Sequence, residues 1–172
     1  MQNNAKISIV TINYNNPSGL KKTIESVVNQ TWKNFEYIII DGGSTNGDVD
    51  IIKSFDNQID YWVSEPDKGI YNAMNKGIKM AKGDYVYFLN SGDIFFDNST
   101  LSSVANKING EVSIYYGDVI FDQIRKKRII PAPRELAYPF LIANSINHQS
   151  TFIKRTLFDE IFYYNEDLKI IA

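Results

Sequence analysis

The feature that most constrains this chain is a succession of four short apolar runs in its first ninety residues, each ending in polar turn residues and separated from the next by a segment of helical period. Ile7–Asn13 is β-branched and runs into Asn15-Asn16-Pro17-Ser18, the composition of a turn and a helix start. Leu20, Ile24, Val27 and Val28 then recur at the spacing of one helix face. Residues 37–40 read as a second strand ending at Asp41-Gly42-Gly43-Ser44, a helical stretch is expected over 49–55, and a short strand over 61–63. Tyr71, Met74, Ile78 and Ala81 mark the apolar face of another helix, which Gly83-Asp84 breaks before a strand at 85–89. Strands apolar on both faces and joined by helices predict a mostly parallel sheet covered on both sides. The expected fold is α/β and Rossmann-like.

Beyond Asp93 the pattern changes. Leu101, Val104, Ala105 and Ile108 predict a helix, 113–121 a strand of a smaller mixed β region, 149–153 another strand and 156–162 a last helix. Pro131, Pro133 and Pro139 predict an extended loop over 131–147. With 172 residues and no repeat or linker, the chain reads as one domain of two unlike halves, 1–97 and 98–172.

Composition removes several chemistries. A net charge of −2 gives no reason to expect a nucleic-acid partner. The absence of cysteine excludes disulfides, thiolate nucleophiles and Cys-ligated zinc, and His148 is the only histidine. Any metal must therefore rest largely on oxygen ligands, which suits Mg²⁺ or Mn²⁺. Residues 1–6 lack signal-peptide architecture, and no apolar run approaches the roughly 20 residues that span a bilayer. A cytoplasmic protein is expected. Arg125-Lys126-Lys127-Arg128 reads as a solvated hairpin tip, with peripheral contact to anionic lipid at the inner face of the cell membrane as the sharper alternative.

In open parallel sheets, ligands bind outside the carboxyl ends of the strands. Standing there are Asn13-Tyr14-Asn15, Asp41-Gly42-Gly43-Ser44, Glu65-Pro66-Asp67-Lys68-Gly69 and Asn90-Ser91-Gly92-Asp93. Each is also ordinary turn composition, and Tyr71 and Met74 suit a core. Taken together, the carboxylates would repel a phosphate unless a cation intervenes or they accept hydrogen bonds from base and ribose. A sugar nucleotide with a divalent metal meets both conditions. Neither GxxxxGK[ST] nor GxGxxG follows any strand.

In this order, Ser8-Ile9-Val10-Thr11-Ile12-Asn13-Tyr14-Asn15, Asp41-Gly42-Gly43-Ser44-Thr45, Asp67-Lys68-Gly69-Ile70-Tyr71-Asn72-Ala73-Met74-Asn75-Lys76-Gly77-Ile78 and Phe88-Leu89-Asn90-Ser91-Gly92-Asp93 resemble the family-2 glycosyltransferases of the GT-A fold. The branch most resembled builds bacterial surface polysaccharides, including colanic-acid-type enzymes, and Ile146-Asn147-His148-Gln149-Ser150-Thr151-Phe152 also resembles a segment of it. The resemblance implies inverting, hexosyl-type transfer from a UDP-, GDP- or dTDP-linked donor to a saccharide or lipid-linked acceptor. It implies Asp41 at the base or ribose with Asn13, Tyr14 and Asn90 in the same pocket, Asp67 beside the nucleotide, and Asn75 with Lys76 at the donor floor. It further implies Asp93 as ligand to Mn²⁺ or Mg²⁺ and His148 near the donor–acceptor junction.

The chain departs from the family pattern at Gly42, where many relatives have a second aspartate, at Met74, where many have arginine, and at Asn90-Ser91-Gly92-Asp93, which keeps one carboxylate of an Asp-X-Asp signature. In this branch the general base follows a segment like Asn165-Glu166-Asp167-Leu168, so it is expected just beyond Ala172, in a chain truncated at its carboxyl end that binds donor and transfers poorly. A non-catalytic nucleotide-sugar-binding module is the alternative reading. A sugar nucleotidyltransferase ranks third, because no basic Gly-rich loop follows the first strand.

Overall fold

The computed structural model describes residues 5–123, 126–137, 146–161 and 163–168. Arg125, Phe162, Ala172 and the stretch 138–145 of the expected loop lie outside the described residues. Four strands, β1 (Ile7–Asn13), β2 (Phe35–Asp41), β3 (Tyr61–Ser64) and β4 (Tyr85–Phe88), lie parallel in the order β3-β2-β1-β4. They are connected through α1 (Pro17–Val28), α2 (Asp48–Ser54) and α3 (Ile70–Met80). Because β1 pairs with β2 on one side and β4 on the other, the order reverses there and leaves a crevice at the carboxyl ends.

Alternation along the strands sorts the core into two layers. Ile7, Ile9, Tyr37, Ile39, Tyr85 and Tyr87 pack with Leu20, Ile24 and Val27 of α1 and Ile52 of α2 on one side. Val10, Ile12, Ile38, Ile40, Val86 and Phe88 pack with Ala73, Met74 and Ile78 of α3 on the other. This is the doubly covered sheet expected of strands with no polar face. Asn16 begins α1 by accepting a hydrogen bond from the Gly19 N–H at 3.2 Å, with Pro17 at the first helical position.

The second half differs from expectation in its details. The helix there, α4 (Thr100–Ala105), stops short, and Ile108 reaches the core from the turn that follows. The stretch 113–121 is two strands that part at Gly117-Asp118: β5 (Ile114–Tyr116) joins the main sheet, and β6 (Val119–Gln123) pairs with β7 (Lys126–Ile130) in a separate antiparallel ribbon. Lys126, Lys127 and Arg128 therefore lie on β7 instead of at the hairpin tip. His148–Ser150 forms a single 3-10 turn before β8 (Thr151–Lys154), which runs antiparallel between β4 and β5. A short helix, α5 (Thr156–Glu160), and the segment 163–168 follow. Among the described residues no helix is long and apolar enough to cross a membrane.

Candidate functional site

The carboxyl ends of β1 to β4 enclose a cavity of about 620 Å³. Ile12, Asn13, Tyr14 and Asn16 line it from the β1 end, Gly42 and Gly43 from β2, Pro66, Asp67, Gly69 and Ile70 from the loop into α3, and Asn90 and Ser91 from β4. Tyr14 is 65% exposed, so its ring face is available to a planar ligand. Gly42 is what lets two of these loops close: a Cβ there would lie 2.7 Å from Asp67 Oδ2 and 3.2 Å from Tyr14 Cδ2. The Asp67 carboxylate thus fills the room that a second aspartate at position 42 would need. Asp67 Oδ1 in turn accepts the Gly69 N–H at 2.9 Å, which holds the loop that enters α3.

Beneath the cavity lies a buried polar cluster. Asp41 is fully buried, and its carboxylate accepts four hydrogen bonds: from Asn13 Nδ2 and Ser44 Oγ at 2.6 Å, from the Ser44 N–H at 2.9 Å and from Ser64 Oγ at 2.6 Å. Burial alone would raise its pKa, but the hydroxyls of Ser44 and Ser64, with the Ser44 N–H and Asn13, overcome that and leave it lowered. Direct contact between Asp41 and a base or ribose would require one of these donors to leave. Asn13 Nδ2 also donates to Asp48 Oδ1 at 2.9 Å, so a single amide joins two buried carboxylates. Asp48 Oδ1 further accepts the Asn16 N–H at 3.2 Å.

Asn90, Asp93 and His148 come together at the β4 end. The Asp93 N–H donates to the Asn90 carbonyl at 2.9 Å, closing a turn in which Gly92 takes φ 105°. Thr23 on α1 clamps this turn: its buried Oγ1 donates to the Asp93 carbonyl at 2.7 Å and accepts the Gly92 N–H at 2.9 Å. Asn90 Nδ2 lies 3.1 Å from His148 Nε2. Desolvation lowers the His148 pKa, against the pull of Asp93, and so favours the uncharged ring. Desolvation raises that of Asp93, partly offset by His148.

These groups fit a hard divalent cation. Asn90 Oδ1 is buried without a hydrogen-bond partner, and the Asp93 carboxylate accepts no hydrogen bond among the described residues. One carboxylate and one amide oxygen are a sufficient protein share for Mg²⁺ or Mn²⁺, which complete their shells with water and phosphate oxygens. No group of three or more His, Cys, Asp or Glu side chains is gathered among the described residues.

Lys76 and Asn75 stand apart from the cavity lining. Lys76 Nζ pairs with Glu65 at 2.7 Å and donates to the Pro66 carbonyl at 3.3 Å, supporting the Pro66–Asp67 wall from behind. Asn75 falls off the apolar stripe as expected, yet it is buried, bonded to Tyr164 and Glu166 instead of facing the cavity. Sequence reasoning missed Thr23, Asp48 and Ser64, whose partners at the site lie on other elements, and gave no separate role to Ser44 and Asn72 although both stand in the motifs.

Residues 8–165 match the family model described as Glycosyl transferase family 2. An uncharacterised glycosyltransferase of Mycobacterium tuberculosis is 33% identical over 174 residues, covering 96% of this chain and 65% of its own length. A PGL/p-HBAD biosynthesis glycosyltransferase of Mycobacterium bovis is 31% identical over 172 residues, with the same coverage. The chain thus spans just under two thirds of these relatives. Among solved structures, Staphylococcus aureus TarS 1-349 in complex with UDP superposes with a TM-score of 0.79 at 21% identity, covering 96% of this chain and 52% of that one. A Pyrobaculum calidifontis mannosyltransferase in complex with GDP-Man and Mn²⁺ gives 0.72 at 14%, covering 94% and 48%.

Proposed function

The chain belongs to glycosyl transferase family 2 and has its GT-A fold, and from this we propose that its cavity takes a nucleotide-sugar donor. In this reading the sugar passes, with inversion, to a hydroxyl of a saccharide or lipid-linked acceptor of the cell envelope. The observation that carries it is the cavity at the sheet's switch point, lined by polar side chains and close-approach glycines from four strand ends. In the same reading residues 1–172 are parts of a single glycosyltransferase domain, with the nucleotide-sugar-binding half at 1–97 and part of the acceptor half at 98–172.

Each residue's part follows from its surroundings. The exposed Tyr14 ring offers a stacking face to the base, and Asn90 and Asp67 offer polar atoms to base, ribose or phosphate, while Asn13, buried and held by Asp41 and Asp48, forms part of the wall behind them. Asp41 acts from below by holding Asn13 and Ser44, and Lys76 acts by holding the wall at 65–66. Asp93 and Asn90 would hold Mn²⁺ or Mg²⁺, whose charge offsets that developing on the departing diphosphate. His148 fixes the Asn90 amide from the acceptor side. The donor is a uridine, guanosine or thymidine diphosphate sugar. On β7 the exposed Lys127, paired with Asp122 at 3.3 Å, shares a face with the 63% exposed Ile129, and exposed Arg128 projects from the other face; this ribbon is the part proposed for contact with anionic lipid.

Calorimetry with UDP, GDP and dTDP, each with and without Mn²⁺, tests the reading. One of the series is expected to bind more tightly with Mn²⁺, and Asp93→Ala is expected to abolish that gain while leaving the melting temperature unchanged. Failure of all three to bind under either condition would refute it.

A further inference from the structure

Two asparagines on α3 are engaged away from the cavity. Asn75 closes on Tyr164, 89 residues later, as a neighbouring strand would: Nδ2 donates to the Tyr164 carbonyl and Oδ1 accepts the Tyr164 N–H, both at 2.9 Å. The same Nδ2 donates to Glu166 Oε1 at 2.9 Å, and Asn72 Nδ2 donates to Glu166 Oε2 at 2.8 Å. Both oxygens of Glu166 are thus held by asparagines three residues apart on one helix face. These two amides also keep the Glu166 carboxyl below the usual range, Asn75 contributing most. The Tyr164 ring lies stacked 5.5 Å from Tyr71 and meets Phe88 edge-on at 6.1 Å, so the segment is seated by packing as well as by polar contacts.

The contact does not end at α3. Asn72 Oδ1 accepts the Lys68 N–H at 3.2 Å, and Lys68 stands between Asp67 and Gly69, both of which line the cavity. A continuous path of hydrogen bonds therefore runs from Glu166 through Asn72 to the loop at the cavity wall. We propose that Glu166 is a positioning residue for the pocket: with Asn72 and Asn75 it latches 163–168 onto α3, and through Asn72 it fixes the loop 67–69, so that docking of this segment and occupancy of the pocket reinforce each other. The inference rests on the reading of the cavity as a nucleotide site. Linkage makes the effect reciprocal: a ligand that orders the loop also tightens the latch.

Amide hydrogen exchange at Lys68, Gly69 and Tyr164, with calorimetry against UDP, GDP and dTDP in Mn²⁺, tests it. Glu166→Ala should speed exchange at Lys68 and Gly69 and weaken nucleoside diphosphate binding about fivefold or more, the lower end of ordinary coupling. Glu166→Gln, which keeps one acceptor oxygen, should recover part of both. In the unaltered chain the nucleotide should slow exchange at Tyr164. Unchanged affinity and unchanged Lys68 and Gly69 exchange in Glu166→Ala, with normal binding by the unaltered chain, would overturn the latch alone. No binding by the unaltered chain would bring down the pocket reading and the coupling with it.

Discussion

Replacing Asp41 by asparagine perturbs the cluster beneath the cavity with almost no change in volume. Four donors converge on two carboxylate oxygens, and the new amide group must turn its NH₂ toward two of them. If it faces Ser64 and the Ser44 N–H, the backbone donor cannot reorient. If it faces Ser44 Oγ and Asn13, the hydroxyl can rotate and Asn13 can turn its unpaired Oδ1 inward, but Asp48 then loses its Asn13 donor. Either way at least one hydrogen bond to a buried charged group is lost, at about 1.5–3 kcal/mol, and an amide donor is left poorly placed. The expected loss is about 2–4 kcal/mol at pH 7, which a domain of ordinary stability survives.

The pH dependence makes the test sharper. Asp41 has its pKa lowered in the folded chain from an ordinary 3.8. Its ionised form therefore contributes stability that is fully present above the unfolded value and is lost as pH falls through the folded one. Asparagine does not titrate, so the gap between the two proteins should be constant from about pH 7 to 5 and should narrow below about 4. Urea unfolding across that range reads it directly. A gap under about 0.5 kcal/mol at neutral pH, or one that widens on acidification, would refute the reasoning.

Two other substitutions probe the parts that position the site. Thr23→Val keeps the shape but strips the Gly92 N–H and the Asp93 carbonyl of their partner, so it should cost about 1–3 kcal/mol in urea unfolding and reduce only the Mn²⁺-dependent part of nucleotide binding; a neutral variant would remove the clamp. Gly77→Ala places a Cβ 2.4 Å from Cγ1 of the buried, β-branched Val10, so the overpacking of α3 against β1 should exceed the helix-propensity gain of about 1 kcal/mol. A net loss of about 1–2 kcal/mol is expected on thermal or urea unfolding, and a stabilised variant would contradict the packing account.

The alternation of apolar strands and helical stripes determined the first half of this fold from the sequence alone, because each run could bury both faces only in a covered parallel sheet. The same runs located the cavity, since strand ends in such a sheet are where ligands sit, and the family motifs stood at those ends. Tertiary structure alone decided how the second half divides, because β5 and β8 are too short to reveal their partners and pair antiparallel across long stretches of chain, while β6 leaves the main sheet to pair with its neighbour β7. It also decided which polar residues face the cavity. Asp41, Asp67 and Asn75 all stand in motif segments, but one is sealed below by four donors, one fills the space beside Gly42, and one closes on Tyr164. Periodicity assigns a residue to a face of its own element; the partner across that face is set by a segment far away in the chain, and only packing brings the two together.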